Sequence, residues 1–348
     1  MTRLAFVVSA SLLMLLAPRV GAQEPKTGYE KTHKIAVGGD GGWDYLSVDP
    51  QARRLYISRG NRVAVVDIDN EKVVGELPDT PGVHGVAVVP DLGKGLTSNG
   101  QDATVTAFDL KTLKATGKVK VGSRPDAILY DPASNRVFTF NHGTKDATAV
   151  DPAEVKVVGS VALNGVPEAA VSDGKGHVFV NLEDTSEIAE FDAKGLRVVN
   201  RWSLSPGEGP TGLAFDPEHR RLFSACRNNQ KMIVMDADSG KVIAALDIGR
   251  GCDGCAFDPE KNLAFSSNGQ DGTVTIVQEQ DPTHYRVLAN VPTQVSARTM
   301  AIDPKTHRLY LSSATPGPAP ADQPPTKAKG KGGRNFVPGS FAIVVVGE

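Results

Sequence analysis

The chain has 348 residues, a formal net charge of −2, 22% charged residues and three cysteines. That weakly acidic balance gives no electrostatic reason to expect nucleic acid as the main partner. Three cysteines allow at most one internal disulfide and leave one thiol over. Aromatics make up only 6% of residues, while Val, Ala, Gly and Asp-Pro steps abound, a profile suited to many short strands joined by tight turns.

The N-terminus reads as an export signal. Arg3 supplies a positive start, Leu4 to Ala17 is an uncharged apolar stretch, and Val20-Gly21-Ala22 places small residues before a cleavage point at Gln23. The apolar stretch is shorter than the ~20 residues a membrane-spanning helix needs. Removal of residues 1–22 moves the net charge from −2 to −4. The expected mature protein, residues 23–348, is soluble and periplasmic or secreted.

From Asp44 onward the chain repeats itself. An apolar strand, a turn and a second strand recur as LSVDPQARRLYIS, VAVVPDLGKGLTS, AILYDPASNRVFTF, AAVSDGKGHVFV, LAFDPEHRRLFSA, CAFDPEKNLAFSS and MAIDPKTHRLYLS. The turn position falls at Asp49, Val89, Asp131, Asp173, Asp216, Asp258 and Asp303, with gaps of 40 to 45 residues. A third and a fourth strand follow each pair, as in TVTAFD then ATGKVKV. Four antiparallel strands per unit, seven times over, predict a single all-β domain, a seven-bladed β-propeller with almost no helix. The last unit lacks a fourth strand, and THKIAVGG precedes the first unit. Pairing the segment near Lys34–Gly38 with that near Phe341–Val346 closes the ring and removes its free edges. One excursion, residues 315–338, is rich in Pro, Gly and Lys and is expected to be a flexible loop within blade 7. Its Lys327, Lys329, Lys331 and Arg334 suit an acidic partner, but a solvated excursion is the simpler expectation.

Segments such as LYISRG, SNGQDATVTAFD and SSNGQDGTVTIV resemble the YVTN-repeat, or YncE-like, seven-bladed propellers of bacteria, over residues 31 to 348. The resemblance implies an exported propeller without an agreed activity; DNA binding, surface roles and ligand binding are each suggested for some relatives. Seven-bladed lactonases share the architecture, but no motif here carries their catalytic residues across.

Counting five residues back from each turn position reaches the start of the innermost strand. That column reads Asp44, His84, Asp126, Glu168, Thr211, Asp253 and Arg298, and propeller symmetry gathers it round one channel mouth. The ends of the neighbouring second strands add Asn99, Asn141, His142, Arg227 and Asn268. Four carboxylates repel, by about 4 kcal/mol for a 4 Å pair at an effective dielectric of 20. A divalent cation such as Ca²⁺, or a small polar ligand, suits converging oxygens; a water-filled mouth with solvated side chains suits the same column.

Cys255 occupies a column otherwise held by Leu46, Val86, Ile128, Ala170, Leu213 and Met300, an apolar core position. Cys252 and Cys255 lie three steps apart on an extended strand, ~10 Å, too far for a disulfide. Cys226 and Cys252 face the same end of adjacent blades and are the candidate pair. Phosphate loops, HExxH and GxSxG are missing. The expectation is therefore a monomeric, non-catalytic binding or scaffold propeller of the cell envelope, its partner an unidentified small molecule or envelope protein. The alternatives are a lactonase-like hydrolase acting on a small polar substrate at the same mouth, and nucleic-acid binding as suggested for some relatives.

Overall fold

A computed structural model describes residues 27–318 and 336–348. The expected signal segment 1–22 and most of the expected loop 315–338 lie outside the described residues. The chain forms seven four-stranded antiparallel sheets. Their innermost strands are Leu46–Asp49, Val83–Val89, Pro125–Asp131, Pro167–Ser172, Pro210–Asp216, Cys252–Asp258 and Met300–Ile302. Each packs against the innermost strands before and after it, the last against the first, so the propeller closes.

The repeated aspartates explain the turns. Asp49 Oδ1 accepts the backbone N–H groups of Gln51 and Ala52 at 3.0 and 2.9 Å. Asp216 does the same for Glu218 and His219. The aspartates that end third strands repeat the device, as Asp67 does for Asp69 and Asn70. Each side chain mimics a backbone turn and satisfies amides the hairpin leaves open. The residue four places on is left-handed: Arg53, Asn135, Arg220, Asn262 and His307 have φ between 52° and 59°. In blade 2, Val89-Pro90-Asp91 replaces the Asp-Pro step and a 3₁₀ turn forms at Pro90–Leu92, with Gly93 left-handed.

The left-handed residues also tie blades together. Arg53 of blade 1 forks onto Asp303 of blade 7 at 2.8 and 2.7 Å. Arg220 reaches Asp173 at 3.4 Å and His307 reaches Asp258 at 2.7 Å. Between the sheets lie apolar clusters shared by neighbours: Tyr56, Val63 and Leu77 of blade 1 pack on Val86 and Phe108 of blade 2. A sheet buried on both faces needs such partners on each side.

Blade 7 is built from both ends of the chain. Its outermost strand is Glu30–Ala36, antiparallel to Ala342–Gly347, with Ile35 opposite Ile343 and Ala36 opposite Ala342. The pairing expected from sequence holds, with the strand beginning two residues earlier than THKIAVGG suggests. Beside this seam lies Arg59, 1% exposed. Its guanidinium donates to the carbonyls of Gly38, Gly39, Asp40, Gly41 and Gly42 and lies 3.7 Å from the centre of the Phe341 ring. Burial, and then the charge of Arg62, lower its pKa to about 10. Arg59 thus fixes the glycine-rich segment that carries the chain from the closing strand into Trp43 and Asp44.

Deleting the residues up to Ala36 should lower the melting temperature of the whole domain in one cooperative transition. It strips Tyr29 and Ile35 from the core and bares the edge of Ala342–Gly347. An unchanged melting temperature would mean that the ring is stable without this strand.

Candidate functional site

The column read from the repeat does converge, but as a hydrogen-bonded circuit rather than an open mouth. His84 Nδ1 lies 2.6 Å from Asp44 Oδ2 and 3.1 Å from Asp126 Oδ1. The other oxygen of Asp126 lies 3.0 Å from His142 Nε2, which is 3.4 Å from Glu168 Oε1. Arg227 bonds Asp253, and Arg298 bonds the second oxygen of Asp253. Arg298 then donates to the carbonyl of Trp43 at 2.8 Å, one residue from Asp44. Carboxylates and nitrogen bases therefore alternate round the axis. Thr211, the one uncharged member of the column, bonds the carbonyls of Ala225 and Cys252.

The four carboxylates are not solvated. Asp44, Asp126, Glu168 and Asp253 are 3–6% exposed. Burial would penalise them severely without partners. Burial opposes the charge of His84 too, yet its hydrogen bonds to Asp126 and Asp44 outweigh that and raise its pKa to about 9. Arg227 and Arg298 are likewise desolvated, but Asp253 raises both. The repulsion anticipated from four acids is relieved inside the protein by the bases between them.

Tyr45 completes the site and was not singled out in the sequence. Its hydroxyl crosses the channel from blade 1 and donates to Glu168 Oε2 of blade 4 at 3.4 Å. Burial, followed by Glu168, Asp126, Asp44 and Asp253, raises its pKa well above the ordinary tyrosine value. It remains a neutral donor among acids. Nothing in the repeat marks Tyr45, because its role depends on the width of the channel it spans.

Three of the expected neighbours lie elsewhere, and the expectation is corrected accordingly. Asn99, Asn141 and Asn268 are fully buried and face into their own hairpins. Asn99 donates to Thr104 and Thr106 at 3.0 and 2.9 Å, and Asn268 exchanges hydrogen bonds with Thr273 and Thr275 at 3.1 and 2.8 Å. An amide at the end of a strand satisfies the hairpin more cheaply than it could reach the axis. The following glycines bear on the mouth instead. A Cβ on Gly100 would sit 2.7 Å from His84 Nε2, and one on Gly269 would sit 2.6 Å from Arg298 Cβ. In the near-duplicate SNGQDATV and SNGQDGTV these glycines leave room for the two mouth side chains.

The candidate disulfide is also corrected: Cys226, Cys252 and Cys255 are all free thiols. Cys252 lies 3.8 Å from the Thr211 hydroxyl and Cys226 Sγ points to the carbonyl of Ser224 at 3.7 Å. Burial pushes Cys226 and Cys252 up to about 12, so neither is a reactive thiolate. Cys255 packs partly buried in an apolar cluster.

The described residues define a seven-bladed β-propeller with a buried acid–base ring at one end of its axis. The family description for the cytochrome D1 heme domain matches residues 55–259, more than half of the chain, and the chain belongs to that family. The match starts in the second strand of blade 1 and ends just past the first strand of blade 6, so it omits Asp44, Tyr45 and Arg298. Among solved structures, hydrazine synthase of Kuenenia stuttgartiensis is similar with 18% identity and a TM-score of 0.69, covering 80% of this chain and 94% of that one. A chain of a mitotic checkpoint complex is 13% identical with a TM-score of 0.71, covering 89% and 95%. The RRP9 WD40 repeats are 10% identical with a TM-score of 0.74, covering 93% and 99%. These likenesses are of fold. No curated protein matches the sequence.

Two outcomes test the electrostatics of the ring. Asp253→Asn leaves Arg227 and Arg298 without their shared carboxylate. It should cost about 2–4 kcal/mol in chemical denaturation, somewhat less than for a fully enclosed pair because both guanidinium groups are partly exposed. For His84 the folded pKa lies above the unfolded one. Its contribution is therefore complete below about pH 6.5 and is lost as the pH rises through about 9. In chelator-treated protein, the melting-temperature gap between wild type and His84→Gln should shrink across that interval; a constant gap would show that His84 is uncharged when folded.

Proposed function

We propose that the protein is an exported, non-catalytic binding propeller of the bacterial envelope, of the YVTN-repeat kind, whose mouth holds a divalent cation. The observation that carries this reading is the run Asp44–His84–Asp126–His142–Glu168. Two sets of three donor atoms, Asp44·His84·Asp126 and Asp126·His142·Glu168, each lie within 4.8 Å of one another and share Asp126. A cation entering either set would take the place of the proton that an imidazole now shares between two carboxylates. The imidazoles change the metal expected. Oxygens alone suit Ca²⁺, but a mixed nitrogen and oxygen set favours Zn²⁺ or a similar transition ion. Export rests on the apolar N-terminal stretch and its small-residue cleavage point.

The family description raises heme as a second ligand. The residues at the mouth do not fit one. His84 is held at Nδ1 by two carboxylates and its Nε2 edge packs on Gly100. His142 Nε2 lies between two more carboxylates. Tyr45 crosses the axis, and a macrocycle bearing its own carboxylates would face four buried acids. A cavity of about 500 Å³ at the other end of the channel is lined by Leu129, Tyr130, Val171 and Phe215 among others, with no histidine. The Tyr130 hydroxyl is turned to Asn135 at 3.2 Å.

Zn²⁺ added to chelator-treated protein should raise the melting temperature of the wild type by several degrees, and the rise should be clearly smaller in Asp126→Asn, which weakens both donor sets at once. Equal shifts in the two proteins would refute cation binding at the mouth. Titration with hemin should give no shifted Soret band; a stoichiometric band lost in His84→Gln would replace the cation reading with the heme one.

A further inference from the structure

At the end of blades 5 and 6 remote from the mouth, a second imidazole meets two carboxylates that the ring does not use. The Asx turn of blade 5 places His219 Nδ1 2.9 Å from Asp216 Oδ2. The third strand of blade 6, Thr273–Asp281, ends by bringing Glu279 Oε1 3.3 Å from the same nitrogen. Donor atoms of the three residues lie within 4.8 Å of one another. The two carboxylate side chains are each 1% exposed, whereas the imidazole is 27% exposed. The set is closed from within and reachable from solvent over His219.

One atom there is unexplained by the protein. Glu279 Oε1 accepts the Tyr285 hydroxyl at 3.1 Å. Glu279 Oε2 is enclosed and receives no hydrogen bond from any described residue. A buried carboxylate oxygen without a donor is costly. Burial and then the neighbouring Asp216 push the Glu279 carboxyl above its ordinary range. The neighbouring Arg221 is committed: it donates to the carbonyl of His219 and to Asp236.

We infer that Asp216, His219 and Glu279 form a divalent transition-metal site joining blade 5 to blade 6, distinct from the mouth. One imidazole nitrogen and two carboxylates are a donor set for Zn²⁺ or Mn²⁺, with a further position left open toward solvent. The metal takes the place of the proton on Nδ1, and Glu279 Oε2 gains the positive partner that the protein does not supply. Tyr285 acts behind the ligand, holding Glu279 in orientation. Because the metal bridges a turn of one blade to a strand of the next, its binding stiffens the contact between them.

The test uses the full chain with the mouth disabled by Asp126→Asn, stripped of metal by chelator. Titrated with Zn²⁺ against a competing chromophoric chelator, this protein should bind one ion; with Co²⁺ it should develop a visible d–d absorption. Adding His219→Ala should abolish both signals, and adding Tyr285→Phe should weaken binding about tenfold. Adding Glu279→Gln should also abolish binding while leaving the metal-free protein at least as stable, since it removes a buried charge. That separates loss of the site from loss of the fold. If the Asp126→Asn protein binds no ion, or binds it equally well after Glu279→Gln, no site exists at these residues. Either result leaves the mouth reading untouched.

Discussion

Closure of the ring is the constraint on which the site depends. Blade 7 takes its outermost strand from Glu30–Ala36 and its next strand from Ala342–Gly347. Only then does the chain re-enter blade 1 at a defined point. The glycine segment that follows the closing strand is held by five carbonyl contacts to Arg59, and it delivers Trp43 and Asp44 to the axis. Asp44 starts one end of the mouth circuit, while the Trp43 carbonyl receives Arg298 from the other. The seam that joins the chain ends is thus also where the acid–base ring joins up.

Within that ring the physical problem is charge in a dry place. Four carboxylates with 3–6% exposure are tolerable because each meets a base: Asp44 meets His84, and Glu168 meets His142 as well as the Tyr45 hydroxyl. Asp126 gives one oxygen to each imidazole and Asp253 one to each guanidinium. The result is a preorganised polar core with hydrogen bonds fixed before any ligand arrives. Preorganisation of this kind suits selective binding of a small cation more than passage through the channel, which Tyr45 spans.

The two ends of the propeller use the same elements differently. At the mouth, charged side chains project from the starts of the innermost strands and meet across the axis. At the other end, the turn aspartates first satisfy their own backbone amides, and then reach a neighbour: Asp303 to Arg53, Asp173 to Arg220, Asp258 to His307. Asp216 departs from that pattern, because its partners are His219 of its own turn and, through that imidazole, Glu279 of the next blade. A position that elsewhere joins two blades by an ion pair here gathers three metal-ligating groups.

Much of this was legible in the sequence, and the reason is repetition. A period of 40 to 45 residues, with apolar strands and Asp turns at constant offsets, determined the blade count, the strand order and the closing pair. The same offsets placed Asp44, His84, Asp126, Glu168, Asp253 and Arg298 at one end of the axis, since symmetry converts equal offsets into equal positions. Offsets do not carry rotamers or distances. They could not show that Asn99, Asn141 and Asn268 turn into their hairpins, that the carboxylates are enclosed, or that Tyr45 crosses the channel. Nor could they show that His142 and Arg227, placed at the mouth just past their second strands, lie between the acids, or that His219 and Glu279, sixty residues apart, share one nitrogen's surroundings. Those facts depend on how far a side chain extends across a closed ring, and only the packed blades set that distance.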